Sequence, residues 1–563
     1  MITPAEIVPG KKEKALASRI AWLALIAATL CIGYFTHLGA LGFVGPDEPR
    51  YAWIARDMAE TGDWVTPRLY GRPWFEKPPL YYWGAALSFK IFGVSEASAR
   101  LPSAFLALLA TLALAQLTWR LYGAETARWL LLLLPTTIGM IGFSHAASTD
   151  MPFSATLTIA MVAAAAIVRL GVHSQTPQRS ASTPWPALIL FGLFLGLAVL
   201  AKGPAAIILC GGALFFWALF TRRWRDAFRL FHPAAVAIFC FTALPWYILC
   251  ARRNPDFLRI FFLEHNFKRY LTPEFQHIQP LWFYLPVVFV ALLPWTPLLL
   301  RTLSEIRPAF QNRLNSGATP IFVTCWAIFP CLFFSFSRSK LPGYILPAIP
   351  PLVLLCSGAL TKILATHSRV ARAVLISTSI FTFILIAVAF QYSSQIRGLY
   401  QLEKFAHHSP GKLAIFGLVC LLSFIAGLTI LLGRSRTGVF LTAASLLIFS
   451  SSAALATLDS ILSPRQLCQS LAKLKTPGEE LLLCSIPRSY VYAFNFYLRR
   501  EVPEWSRRTP GKPALVVIGS PACWSHLEGA RYHLRPEMDF ARWPVIEVEA
   551  VSAAGLPAGR QSQ

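Results

Sequence analysis

Residues Val44–Trp83 read VGPDEPRYAWIARDMAETGDWVTPRLYGRPWFEKPPLYYW. The stretch follows an apolar run, Ile20–Tyr34, and comes before a long series of others. It nevertheless carries several acids and bases, two proline turns (Gly45-Pro46 and Pro78-Pro79) and three tryptophans, Trp53, Trp64 and Trp74. Tryptophan favours the membrane–water interface, so the segment is expected to lie along the membrane surface, with a helical stretch near Tyr51–Glu60. Lys11, Lys12, Lys14 and Arg19 precede the first apolar run, and no small-residue cleavage site follows it. These features predict an uncleaved first helix with a cytoplasmic N-terminus. Val44–Pro79 is then the first outer loop.

The rest of the chain fits that frame. Of 563 residues 55% are hydrophobic and 14% charged, against roughly 25% charged in a soluble protein. Apolar blocks of spanning length recur near 99–119, 129–147, 151–168, 185–201, 204–221, 233–250, 281–300, 319–336, 344–361, 373–391, 412–433 and 438–456. With the first helix they predict thirteen membrane helices. Loop charge supports the count, because the six connections it places inside (Arg120/Arg128, Arg169/Arg179, Arg222–Arg229, Arg301–Arg313, Lys362–Arg372 and Arg434/Arg436) are all basic-dominated. Residues 1–456 are therefore expected to form a polytopic α-helical membrane domain. Residues 457–563 would be an outer α/β domain, with strands at Glu480–Cys484, Ala514–Ile518 and Val545–Val548 and helical pattern around Arg488–Arg499.

The net charge of +24 follows from basic inner loops and contact with anionic membrane lipids, and nucleic acid is not an expected partner. Eleven cysteines are scattered singly without C-x-x-C spacing, and most read as small core residues. Cys468, Cys484 and Cys523 lie in the polar C-terminal part, where pairing is open.

Each ionisable candidate has two readings. Asp47 is either the cap of the following helix or a catalytic carboxylate at the membrane face. Glu76-Lys77, set among aromatics and prolines, is a salt bridge or an acid and a cation aimed at one place. Asp150 and Lys202 sit at outer helix ends, where ionisable groups are costly and are functional candidates; a cap and a snorkelling chain are the alternatives. The outer loop at 252–281 carries Arg252, Arg253, Arg259, Lys268 and Arg269, against the positive-inside bias. Arg338 and Lys340 follow near Tyr344. A lipid phosphate at the outer face would account for these cations; lipid headgroups alone are the alternative. Glu76 and His265 are candidate ligands for a divalent metal, Zn²⁺ or Mn²⁺, with a purely structural histidine as the other reading.

Taken together, Gly45-Pro-Asp-Glu-Pro-Arg-Tyr51, Gly62-Asp-Trp-Val-Thr-Pro-Arg68, Phe75-Glu-Lys-Pro-Pro79, Ser148-Thr-Asp-Met-Pro152, Lys202-Gly-Pro204 and Ser339-Lys-Leu-Pro-Gly-Tyr-Ile-Leu-Pro347 resemble the bacterial lipid A aminoarabinose transferases. That family belongs to the GT-C glycosyltransferases related to protein O-mannosyltransferases. The resemblance spans residues 45 to about 350; the C-terminal part shows no family motif. It implies a GT-C fold and transfer of 4-amino-4-deoxy-L-arabinose from undecaprenyl phosphate to lipid A phosphate at the bacterial inner membrane. By motif it implies Asp47, Glu76 and Asp150 as catalytic residues. Arg50, Tyr51, Lys77, Lys202, Lys268, Arg269, Lys340 and Tyr344 would surround the donor phosphate, and Glu76 and His265 would be the metal candidates. Two alternatives stay open: a GT-C enzyme using another polyprenyl-phosphate sugar on protein, hopanoid or glycan, and a lipid-linked sugar transporter. A transporter would be expected to show repeat symmetry between its halves, and none is visible in the sequence.

Overall fold

The computed structural model describes residues 9–171, 183–271, 278–314, 317–366, 369, 372–384, 410–450, 459, 462–474, 480–505, 514–520, 523–524, 532–534 and 545–548. Its first nine helices are α1 (Pro9–Phe35), α2 (Asp47–Thr61), α3 (Leu80–Phe92), α4 (Glu96–Tyr122), α5 (Ala124–Leu133), α6 (Ile138–Ser144), α7 (Asp150–Ile167), α8 (Trp185–Lys202) and α9 (Ala205–Thr221). Among the described residues seven helices are long and apolar enough to cross a membrane: Leu16–Phe35 within α1, then α4, α7, α8, Pro233–Arg253, Ala318–Ser335 and Pro342–Thr366. An eighth is counted if Ala124–Thr136 and Ile138–Ser144, which meet at 60°, are one broken span. Shorter apolar helices include α9, Leu281–Ala291, Arg372–Ile384, Gly417–Leu431 and Ser435–Phe449. The expected spans at 373–391 and 438–456 lie partly outside the described residues.

Two expected spans differ in form. The block at 129–147 is bent where Pro135 opens a 3-10 turn ending at Thr136. The block at 281–300 stops being helical after Ala291, and an amphipathic helix starts at Leu298 and runs to Gln311. Pro294 and Pro297 fall in the gap, and proline's missing N–H and fixed φ break the helical ladder. Helix α3 is an addition to the loop-and-span reading. The segment after Arg253 is also helical in part: Arg259–Lys268 winds as a π-helix, an uncommon form that clusters at functional sites.

Helix α2 covers the expected Tyr51–Glu60 stretch and extends it at both ends. Tyr51, Ile54, Ala55 and Met58 fall at i, i+3, i+4 and i+7 and are all buried, the spacing of one apolar helix face. They pack on Tyr81, Tyr82, Ala85, Ala86 and Phe89 of α3. Gly62 ends α2 at φ 75°, a conformation glycine adopts without steric cost. A two-residue hairpin then pairs β1 (Arg68–Leu69) with β2 (Arg72–Pro73). Its central residues Tyr70 and Gly71 both have positive φ, 52° and 76°, as a type I′ turn requires.

The C-terminal stretch contains a mixed sheet in the order β3 (Glu480–Cys484), β4 (Ala514–Ile518), β6 (Val545–Val548), β5 (Tyr532–Leu534). β3 and β4 are parallel and the other pairs antiparallel. Strand alternation splits its core in two: Leu481, Leu483, Leu515 and Val517 on one face, and Leu482, Val516, Ile518 and Ile546 on the other. Cys484 is disulfide-bonded to Cys523, while Cys468 is free and buried.

This part is tied to the end of α1 by a polar clasp. Arg465 donates to the Gly39 and Ala40 carbonyls, both at 2.9 Å, and pairs with Asp459 at 2.8 Å and Glu96 at 3.2 Å. Asp459 in turn accepts from Gly42 N at 2.7 Å, and Tyr497 Oη from Phe43 N at 2.8 Å. Gly42 admits no side chain here, because a Cβ would stand 2.2 Å from Ser463 Oγ.

Candidate active site

The acids at the start of α2 set the geometry. Pro46 occupies the cap position with no side-chain capping bond, so Asp47 is the first helical residue and does not cap. Its carboxylate accepts from Arg50 Nη2 at 2.5 Å, one helical turn on. The same nitrogen lies 3.0 Å from Glu76 Oε2, and Lys77 is 3.4 Å from the other oxygen of Glu76. Arg50 is therefore a buried bridge between two carboxylates from different elements. Tyr51, Trp74 and Tyr492 surround its guanidinium, with ring centroids at 5.3, 5.5 and 5.5 Å, a cation–π enclosure. Asp47 keeps 48% of its side-chain exposure and Glu76 only 8%. Burial of its inner side raises the Asp47 carboxyl above the usual range; Arg50 pulls it down, and nearby Glu76 raises it further.

Glu48, next to Asp47, does something else. Its Oε1 accepts from Arg100 Nε at 2.9 Å and Ala147 N at 2.7 Å; its Oε2 accepts from Arg100 Nη2 at 2.8 Å and Val44 N at 2.9 Å. Arg100 also donates to the carbonyls of Leu38, Leu41 and Gly42. This buried knot ties the end of α1, α2 and α4 to the segment leading into α7.

That segment delivers Asp150 as the first residue of α7, with Thr149 in the cap position. Its carboxylate pairs with Lys202. Lys202 ends α8, where Gly203 turns the chain at φ 77° and Pro204 starts α9. Lys202 Nζ also sits 4.7 Å from the Tyr344 ring centroid. The two are thus an ion pair, and neither the cap nor the snorkelling alternative describes them. Gly343 packs against Asp150 so closely that a Cβ there would lie 2.8 Å from its carboxyl carbon.

These groups meet at a cavity of about 480 Å³. Glu76, Lys77, Lys202, His265, Ser337, Ser339 and Tyr344 supply its polar wall, and Ile208, Phe261, Phe262, Phe333 and Phe334 line much of the rest. The π-helix contributes Phe261, Phe262 and His265. Ser339 Oγ is buried and has no hydrogen-bond partner among the described residues. A charged end on an apolar chamber suits a lipid phosphate.

Four expected phosphate ligands lie outside the cavity lining: Arg50, which bridges Asp47 and Glu76, and Tyr51, Lys340 and Lys268. Tyr51 points into the α2–α3 core, 2% exposed, because it falls on the inner stripe of the helix. Lys340 is buried and donates to the carbonyls of Gln279 and Ser337 at 2.9 and 2.7 Å, clamping its own loop; burial, with Arg338 nearby, lowers its pKa. Lys268 is exposed and outside the cavity lining. The side chain of Arg269 lies outside the described residues. The arginines of the 252–281 loop are partly engaged with acids: Arg253 pairs with Asp63 at 3.1 Å and Arg259 with Glu264 at 2.6 Å.

Glu76 and His265 do share the cavity wall. Among the described residues, however, no group of three or more His, Cys, Asp or Glu could hold a metal ion, and Glu76 already faces two cations. The donor set does not fit a resident Zn²⁺ or Mn²⁺, and no step is assigned to one. Sequence reasoning missed Trp74, Gly343, Ser339 and Tyr492. Gly343 and Ser339 lie within a quoted motif but carry no charge to mark them.

The family described as dolichyl-phosphate-mannose-protein mannosyltransferase matches residues 19–261. The undecaprenyl phosphate-alpha-4-amino-4-deoxy-L-arabinose arabinosyl transferase of Edwardsiella ictaluri is 32% identical over 355 residues, and that of Pseudomonas aeruginosa (strain UCBPP-PA14) 34% over 357. Each match takes in 63% of this chain and 62% of the relative, so the chain spans just under two thirds of the length of these relatives. The crystal structure of ArnT from Cupriavidus metallidurans bound to undecaprenyl phosphate superposes with a TM-score of 0.74 at 25% identity, covering 96% of this chain and 99% of that one. The resemblance read from the motifs is borne out: the chain is ArnT-like in sequence and shares the polytopic helical fold of that structure.

Proposed function

We propose that this protein is an inner-membrane glycosyltransferase that moves a sugar from undecaprenyl phosphate to an acceptor at the outer face. The sugar is 4-amino-4-deoxy-L-arabinose and the acceptor a lipid A phosphate. The observation that carries this reading is the 480 Å³ cavity, which joins the Lys77–Glu76 and Lys202–Asp150 pairs to an apolar chamber. Its likeness to a transferase crystallised with undecaprenyl phosphate supports the identity of the donor, and the relatives' names support the sugar.

Chemically, Lys77 and Lys202 hold the donor phosphate and stabilise the charge it gains. The acceptor oxygen attacks the anomeric carbon as the bond from that carbon to the phosphate oxygen breaks. Undecaprenyl phosphate leaves as the anion, and the anomeric centre inverts. A hydroxyl acceptor would pass its proton to Asp47; a phosphate acceptor brings its own negative charge, and Asp47 then orients it. Arg50 holds Asp47 and Glu76 at a fixed separation, and Asp150 fixes Lys202.

The same reading has thirteen spans, a cytoplasmic N-terminus and a periplasmic α/β domain from residue 457. The six basic connections support this orientation, as does the Cys484–Cys523 disulfide, which suits an oxidising compartment. The test is reconstitution of the full chain with undecaprenyl-phosphate aminoarabinose and lipid A, followed by mass spectrometry. A pentosamine mass added to lipid A is expected, and an unchanged lipid A spectrum overturns the choice of sugar and acceptor.

A further inference from the structure

The cavity accounts for the donor side of the site but not the side where an acceptor would stand. Glu76 lines the cavity, whereas Asp47 and Arg50 do not. Asp47 lies one guanidinium beyond the cavity wall and is half open to solvent. Displacement with a phosphate leaving on the cavity side requires the incoming oxygen to approach from the opposite side of the anomeric carbon. The third ring on Arg50, Tyr492, belongs to the C-terminal helix Arg488–Leu498.

That helix is seated firmly. Asn495 Nδ2 donates to Tyr70 Oη at 2.8 Å, and the Tyr70 ring stacks on Tyr492 at 6.5 Å. Tyr70 has φ 52°, costly for a bulky residue and kept only where the surroundings enforce it. One turn before Tyr492, Arg488 donates Nε and Nη2 to Tyr492 Oη at 3.3 and 3.1 Å. Arg488 is exposed and makes no ion pair with a carboxylate among the described residues. A guanidinium held at one edge and otherwise open is suited to bind phosphate oxygens.

We propose that the Arg488–Leu498 helix forms the acceptor side of the active site, with Arg488 binding a phosphate-bearing lipid headgroup and Tyr492 positioning both Arg488 and Arg50. This rests on the transferase reading above. It also assigns the C-terminal part a share in substrate recognition that the transmembrane motifs do not contain.

The experiment uses the full-length chain in nanodiscs, assayed for transfer and, separately, for equilibrium binding of lipid A and of undecaprenyl phosphate. Arg488→Ala is expected to raise the acceptor KM and weaken lipid A binding about tenfold, with donor binding unchanged and Arg488→Lys restoring part of the loss. Tyr492→Phe keeps a ring on Arg50 but releases Arg488, so acceptor KM rises at constant kcat. Tyr492→Ala lowers kcat as well. If Arg488→Ala binds lipid A as the wild type does, or if donor and acceptor binding weaken equally, the proposal is overturned. If the wild type transfers nothing yet binds lipid A through Arg488, the transferase reading fails while the assignment of the helix stands.

Discussion

Asp47 and Glu48 are adjacent acids on the first turn of α2, and their surroundings differ sharply. Glu48 is buried and its two oxygens accept four hydrogen bonds, two from Arg100 and two from backbone N–H groups. Asp47 shares one arginine with Glu76 and keeps half its exposure. A carboxylate whose lone pairs are used internally has nothing left for a substrate. One left partly open, with its pKa raised by burial, stores the capacity to bind or orient one. The comparison separates a residue that holds the loop in shape from one the shape exists to present.

The sharpest way to break it is to neutralise each acid in turn. Asp47→Asn is expected to lower transfer by about 10²–10⁴-fold with membrane insertion and melting temperature retained, and Glu76→Gln to abolish transfer with insertion intact. Near wild-type transfer by either purified variant would refute the site. Glu48→Gln should do the reverse, leaving the buried Arg100 without its paired carboxylate and destabilising the fold by about 3–5 kcal/mol, read as a lowered melting temperature in detergent. If Glu48→Gln melts normally but is inactive, the two acids have been assigned the wrong way round.

A smaller effect tests the pair across the cavity. Gly343→Ala drives a methyl into the Asp150 carboxylate, which must turn away from Lys202. Transfer should fall about ten- to a hundredfold, with the larger change in donor KM if Lys202 holds the phosphate. The smallest effect is one of pH. The Asp47 carboxyl is raised in the folded protein, so the native state binds its proton more tightly than the unfolded chain does. Its contribution to stability is full below the ordinary aspartate value of about 3.9 and is lost as pH rises through the raised value. Wild type minus Asp47→Asn melting temperature should decline across that window; a flat difference would mean Arg50 just cancels burial, and a rise that it outweighs it.

Much of this site was legible because membranes make charge conspicuous. Asp47, Glu76, Lys77, Asp150 and Lys202 stood out as ionisable groups beside apolar runs, and the structure gathers all but Asp47 on or directly behind one cavity wall. The sequence singled out Asp47 and gave Glu48 no role, because the partners that define Glu48, Arg100 and Ala147, lie 52 and 99 residues away. Tyr51 and Lys340 look like ligands by type. Only helical phase buries the first, and only two backbone carbonyls occupy the second. The helix expected over 281–300 is interrupted for a local reason, two prolines in an apolar run, which hydropathy ignores. Tyr492 was hidden because its role arises from a contact with Arg50, 442 positions earlier in the chain.

The clasp at Arg465 has a consequence for how the molecule comes into being. The carbonyls of Gly39 and Ala40 find their arginine 426 and 425 residues further along. At synthesis rates of ~5–20 residues per second, the interval between the two is roughly 20 to 85 s. On the proposed orientation the first loop is already outside throughout that interval, with its fastening still unmade. The face that carries Asp47 would then be among the earliest parts of the chain to be exported and among the last to take its final form. A ribosome that stops short of residue 465 leaves a membrane bundle whose business end was never closed.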